Sequence, residues 1–269
     1  MIRAVRLATA TDAAGVVELF RADGNAYGWS VEKWRHYHVD YPDGEPVSVV
    51  AVGDDGQIIG HYAMAPIEIS GHRAMLGLHA YVHPNYRGLE VISRIIAKAY
   101  EVCQQREIEV LCGFANRSFT TILSRIFGWN VVGYLQFVDI SRIDLTAYAR
   151  RLRFVYSEAW YRWKFGTLKC VYLDDYEKDG VVRHQLLKSR ELSVVTASEL
   201  GVNAINVWDP ACYTTKEPVG WHQAFSVCRV ASELDPRFLD INNWYIEMGD
   251  SDAFEPYRPW QTAEVGTSP

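Results

Sequence analysis

Apolar and basic residues alternate over Ile2–Leu7, the period of a half-buried strand, and Thr11-Asp12 then offers a start for a helix whose apolar face is Val16, Val17, Leu19 and Phe20. Residues 30–39 carry Val31, Trp34, Tyr37 and His38 at three- and four-residue spacing, and Pro42-Asp43-Gly44 ends that second helix. A meander of three strands is predicted next: 47–52, Ile58–Ile69 and 74–82, separated by the turns Asp54-Asp55-Gly56 and Ser70-Gly71. The loop His83-Pro84-Asn85-Tyr86-Arg87-Gly88 stops the third strand, and Leu89, Ile92, Ile96, Ala99 and Cys103 then mark the longest helical pattern. A short apolar strand at 110–114 follows, then a helix capped by residues 116–118 and stopped by Gly128, then a strand over 129–138. One mixed sheet with helices on both faces accounts for this order, an α/β (α+β) fold.

Beyond residue 140 the pattern echoes the first half. Trp34-Arg35-His36-Tyr37, the apolar run at 47–52, Gly56 and Gly60-His61 resemble Trp160-Tyr161-Arg162-Trp163, residues 168–172, Gly180 and Arg183-His184. Six of the nine tryptophans lie past residue 140, so this part has apolar anchors of its own. The expectation is therefore a domain over 1–140 and a second, related lobe over 141–269, a degenerate repeat of the first.

Composition narrows the function classes. The 27 Lys and Arg against 33 Asp and Glu give a net charge of −6, which argues against a surface that binds nucleic acid by neutralising phosphates. No apolar run approaches the roughly 20 residues needed to cross a bilayer. The N-terminal stretch is interrupted by Asp12 and Glu18 and makes a poor signal peptide, so a cytoplasmic protein is expected. Five cysteines without a C-x-x-C pair suggest reduced, mostly buried thiols and no structural metal.

The strand, Arg87-Gly88 loop and long helix, followed by Asn116, a helix and Gly128-Trp129, resemble the acyl-CoA-binding core of the GNAT superfamily of N-acyltransferases. The resemblance covers roughly the first 140 residues. It implies acetyl-CoA or a longer acyl-CoA as cosubstrate, its pyrophosphate on the main-chain amides around Arg87, Gly88 and Leu89, its pantetheine beside Asn116, and its thioester against the backbone of Ala80 and Val82. The family's R-x-x-G-x-G/A register places Glu90 and Ile92 where small residues are usual, and Ser124 stands where many members carry a tyrosine acid.

His79 lies on the strand that would border the acceptor amine; it is the first candidate for the base, the other reading being a partly buried, hydrogen-bonded histidine. Alternation puts His79 and Tyr81 on one face and Leu78, Ala80 and Val82 on the other. Trp34-x-x-Tyr37, Ile59-Gly60-His61-Tyr62-Ala63, the 82–88 loop and Trp244-Tyr245 before Gly249-Asp250-Ser251-Asp252 together look like bacterial GNAT enzymes that N-acylate nucleotide-linked amino sugars for surface polysaccharides. That likeness implies Trp34, Tyr37 and Trp160 as stacking residues, unless they pack in the core, and Asp252 as a second candidate base. It also implies a small-molecule partner and a monomer or homodimer, without nucleic acid or membrane. A peptide, an amino acid or another small amine is the alternative acceptor, and a catalytically silent CoA-binding protein is the alternative class.

Overall fold

The computed structural model describes residues 1–22, 29–136, 152–166, 171–178, 181–187, 212–214, 223–230 and 233–246. β1 (Ile2–Leu7) leads into α1 (Ala13–Arg21) and α2 (Val31–His38); Ser30 caps α2 by accepting from the Lys33 N–H. β2 (Val47–Gly53), β3 (Ile58–Ile69) and β4 (His72–Val82) form the expected antiparallel meander. After one 3-10 turn at Pro84–Tyr86, α3 (Leu89–Gln105) crosses to β5 (Val110–Ala115), which lies parallel to β4. Asn116 caps α4 (Arg117–Phe127), left-handed Gly128 ends it, and β6 (Asn130–Gln136) follows.

The later elements are β7 (Leu152–Val155), α5 (Glu158–Gly166), the hairpin β8 (Val171–Lys178) and β9 (Val181–Leu187), β10 (Cys212–Thr214), β11 (Ala224–Arg229) and β12 (Trp244–Tyr245). A helix followed by a hairpin keeps the order the internal echo suggests. The main sheet nevertheless does not stop at residue 140: its order is β1-β2-β3-β4-β5-β11-β6-β10, so the chain leaves after β6 and returns to insert β11 between β5 and β6. β11 pairs antiparallel with β5 from Ala224↔Ala115 to Arg229↔Val110. The expected boundary at 140/141 therefore does not separate two sheets; the later half supplies a central strand.

Both faces of this sheet are covered. On one, α3 and α4 pack over Val49, Ile59, Tyr62, Met64, Met75 and Leu111. On the other, α1 and α2 cover Val50 with Trp34 and Tyr37, and Phe154, Phe225, Phe238 and Trp244 fill the part beside β5 and β11. Burial of this apolar surface is the main stabilising term.

Candidate active site

The β4–β5 ladder runs from Ala74↔Val110 to Gly77↔Gly113 and stops, although β4 continues to Val82 and β5 to Ala115. The two strands thus fork after Gly77. Each keeps its outer partner: β4 stays on β3 as far as Val82↔Gly60, and β5 stays on β11 as far as Ala115↔Ala224. A bulge accompanies the fork, since Ala63↔Leu78 and His61↔Tyr81 leave one extra residue in β4. The extra residue adopts a left-handed backbone at His79, φ 49°.

The bulge corrects one expectation about faces. Leu78 packs with the β5–β11 side of the sheet, whereas Ala80 and Val82 pack towards α3 and α4, because the added residue reverses the alternation between them. His83 N–H donates to Ile59 O at 2.9 Å, so Tyr81 also faces β3, and Ala80 and Val82 turn their N–H and C=O towards the edge that β5 has left. These are the main-chain groups that the family resemblance would set against the thioester.

At the mouth of the fork, Arg87 and Gly88 lead into α3. Gly88 is the N-cap at φ 156°, no side chain caps the helix, and a Cβ there would meet nothing within 4 Å. The amides of the first turn, from Leu89 onwards, therefore face outwards at the positive end of a 17-residue helix, a natural seat for a diphosphate. Glu90 reaches along the helix, its Oε1 3.8 Å from Arg94, and so does not fold over that turn. α3 is held close to the sheet because Gly60 has no side chain beneath Val91 and Ile95. Across the fork, Asn116 accepts from Phe119 N–H at 3.0 Å.

On the opposite face His79 joins two further histidines that the sequence did not bring together with it. His61 Nδ1 donates to the His79 carbonyl at 2.9 Å, which leaves His61 Nε2 to accept from the Ser48 hydroxyl at 3.0 Å and the Trp34 indole at 3.4 Å. His79 Nδ1 lies 3.3 Å from His38 Nε2. Burial drives His79 and His38 well below the usual imidazole range and pushes His61 down to about 4, so all three are neutral at physiological pH. Trp29 and Tyr37 box the His79 ring, with centroids 4.6 and 5.1 Å away.

The three expected stacking aromatics are core residues. Trp34, Tyr37 and Trp160 are 1%, 5% and 4% exposed, and Trp160 lies flat on Tyr156 at 3.6 Å, so core packing accounts for them. Asp252 lies outside the described residues. Among the thiols, Cys103, Cys112 and Cys228 are buried, and burial raises Cys103 to about 11, which makes it a poor nucleophile. The sequence reading also missed Tyr62, whose hydroxyl lies against Gly77 at the fork. A tyrosine two residues from a strand glycine was its only signal.

No curated protein sequence matches the chain. The model of the Acetyltransferase (GNAT) family matches residues 14–119. Among solved structures, the chain is similar to a ribosomal-protein-alanine N-acetyltransferase from Brucella melitensis, at 21% identity and TM-score 0.42, over 49% of this chain and 87% of that one. It is also similar to a GNAT family N-acetyltransferase from Escherichia coli in complex with CoA, at 18% identity and TM-score 0.41, over 49% and 71% of the two chains. A phosphinothricin acetyltransferase from Sinorhizobium meliloti in complex with acetyl-CoA matches at 17% identity and TM-score 0.43, over 50% and 78%. The family match runs from α1 to the first turn of α4 and takes in the fork, the open end of α3 and Asn116, so over these residues the chain is similar to the GNAT acetyltransferases, which are acyl-CoA-dependent transferases.

Proposed function

We propose that the protein transfers the acyl group of an acyl-CoA to the amine of a nucleotide-linked amino sugar by direct attack. The observation that carries the transfer is the fork, where Ala80 and Val82 turn main-chain groups to an edge that no described strand fills, beside a helix start that no described side chain caps. In this reading the amides after Arg87 and Gly88, with Leu89 at the helix start, hold the diphosphate. Asn116 flanks the pantetheine, and the N–H groups of residues 80–82 receive the carbonyl oxygen as it gains charge. The acceptor approaches on the His79 side. His79, neutral because it is buried, takes the proton of the ammonium directly or through water, and Asp252 is the second candidate.

The sugar nucleotide rests on the sequence pattern that spans both halves, Trp34-x-x-Tyr37 through Gly249-Asp250-Ser251-Asp252. A peptide, an amino acid or another small amine is an equally open acceptor, and the net charge of −6 favours cationic ones. We place the enzyme in the cytoplasm, where acyl-CoA is made; no described helix is long and apolar enough to cross a membrane. The test is mass spectrometry of acceptor panels, containing nucleotide amino sugars, amino acids and peptides, incubated with protein and acetyl-CoA. Acylation of sugar nucleotides alone supports the proposal; acylation of peptides or amino acids alone refutes it.

A further inference from the structure

Tyr62 is a deeply buried polar side chain at the fork. It stands on β3, 1% exposed, and reaches across β4 to the first turn of α4, where its ring meets Phe119 edge-on at 5.9 Å. Its hydroxyl has no hydrogen-bond partner among the described residues. An orphaned buried hydroxyl is costly and needs a reason. The reason lies in what it points at. A Cβ on Gly77 would sit 2.6 Å from Tyr62 Oη, and Gly77↔Gly113 is the last rung before β4 and β5 part. Glycine on both strands leaves room over this rung, on the side that carries α3 and α4, for the Tyr62 hydroxyl at Gly77 and the Trp129 ring at Gly113.

We propose that the Tyr62 hydroxyl is a hydrogen-bond donor to the sulfur of the acyl-CoA, binding the thioester sulfur and then the departing thiolate. This deepens the acyl-CoA reading and rests on it. As the acceptor nitrogen bonds to the acyl carbon, the C–S bond breaks and its electron pair stays on sulfur. Tyr62 keeps its proton and donates to that thiolate, while the amine's proton passes to the base and then to solvent. Burial supports the role, because it raises the phenol far above its usual range and holds it as an O–H. A donor fixed in this way fills the gap left by Ser124, which occupies the position where an acid is usual.

The experiment compares wild type with Tyr62→Phe, which removes one oxygen, using CoA and desulfo-CoA, its analogue without the sulfur. A hydrogen bond to a charged group predicts a fall in kcat of about 10- to 100-fold. It also predicts weaker binding of CoA with desulfo-CoA affinity unchanged, and a melting temperature equal to or above wild type, since an unpaired buried hydroxyl has been removed. Equal losses for CoA and desulfo-CoA, no loss for either, or normal turnover would overturn the assignment. A wild-type protein that binds neither compound would instead overturn the acyl-CoA reading itself, and the two failures are distinguishable.

Discussion

Gly60→Ala tests whether the seat of α3 sets the position of the phosphate cradle. A Cβ at residue 60 would lie 2.6 Å from Ile95 Cδ1 and 2.7 Å from Val91 Cγ1. Favourable carbon contacts lie at about 3.5–4.0 Å, so roughly 1 Å must be found. Ile95 and Val91 are 0% and 4% exposed, so neither can swing into solvent. Overpacking of this kind costs about 1–3 kcal/mol, offset in part by the roughly 0.5–1 kcal/mol that alanine gains over glycine inside a strand. At about 2–4 °C per kcal/mol for a chain of this size, the remaining cost of roughly 0–2.5 kcal/mol should lower the melting temperature by up to about 10 °C. Val91 belongs to the first turn of α3, so relief of the clash moves the amides that face the diphosphate. A misplacement of about 1 Å can cost up to 100-fold in a preorganised site, and we expect CoA to bind about 10-fold more weakly.

The control is Gly15→Ala in α1, where a Cβ would lie 2.9 Å from Ile58 Cδ1, a similar crowding away from the fork. The crowding falls on the far end of the half-buried Ile58 side chain and alanine gains about 1 kcal/mol over glycine inside a helix, so stability should change little and CoA affinity should be unchanged. Scanning fluorimetry and calorimetric titration with CoA read both effects. If Gly60→Ala loses stability as calculated but binds CoA within twofold of wild type, the first turn of α3 is not the cradle.

Three further outcomes are expected. Gly88→Val should weaken CoA binding more than Glu90→Gln in titrations, since residue 88 has a glycine-type backbone at an open mouth and Glu90 reaches towards Arg94; a larger effect at Glu90 would place its carboxylate at the phosphate. His79→Gln should reduce kcat by about 100- to 10,000-fold with CoA affinity nearly unchanged. Because the His79 pKa is lowered, the neutral base persists down to its depressed value, so wild-type activity should be flat from about pH 6 to 8; normal turnover in the variant removes His79 from the mechanism. Asp12 accepts from both terminal nitrogens of Arg6 at 2.7 and 2.8 Å, which holds its carboxyl at about 2. That stabilisation, roughly 2 kcal/mol, is complete above the unfolded carboxyl's pKa of about 4 and is lost as pH falls through about 2. Asp12→Asn should therefore lower stability at pH 7 by about that amount in urea unfolding and flatten the curve between pH 4 and 2.

The first part of the fold was legible because each local signal agreed with the next. Ser30, Asn116 and Gly128 end helices where side-chain chemistry says they should, and the turns at Gly56 and Ser70-Gly71 bound Ile58–Ile69. The parallel pairing of β4 with β5 too was legible, because two strands bridged by one long helix can lie parallel. What escaped has a common cause in long-range pairing. Nothing local in residues 224–229 says that they slide between β5 and β6. Nothing in the period of β4 announces the extra residue at His79 that moves Leu78 to the other face. Trp34 and Tyr37 read equally well as stacking platforms or core, and only the seating of α2 against Trp29, Phe20 and Val50 makes them core.

The inserted β11 and the bulge at His79 together explain the shape of the fork. A parallel pair in mid-sheet normally stays paired, because parting leaves main-chain groups without partners. Here β11 ladders the far edge of β5 along its whole length, and β3 ladders β4 to its end, so neither strand needs the other for support beyond Gly77. The bulge at His79 then turns β4 aside, directly after the last shared rung. Among the described residues no strand pairs with Ala80 and Val82 on this side, which leaves a short edge long enough for the amides of one extended ligand arm. The same kink that frees this edge turns the His79 side chain to the other face, beside His38 and Trp29. One inserted residue thus both opens this edge of β4 and turns the His79 side chain to the face covered by α1 and α2.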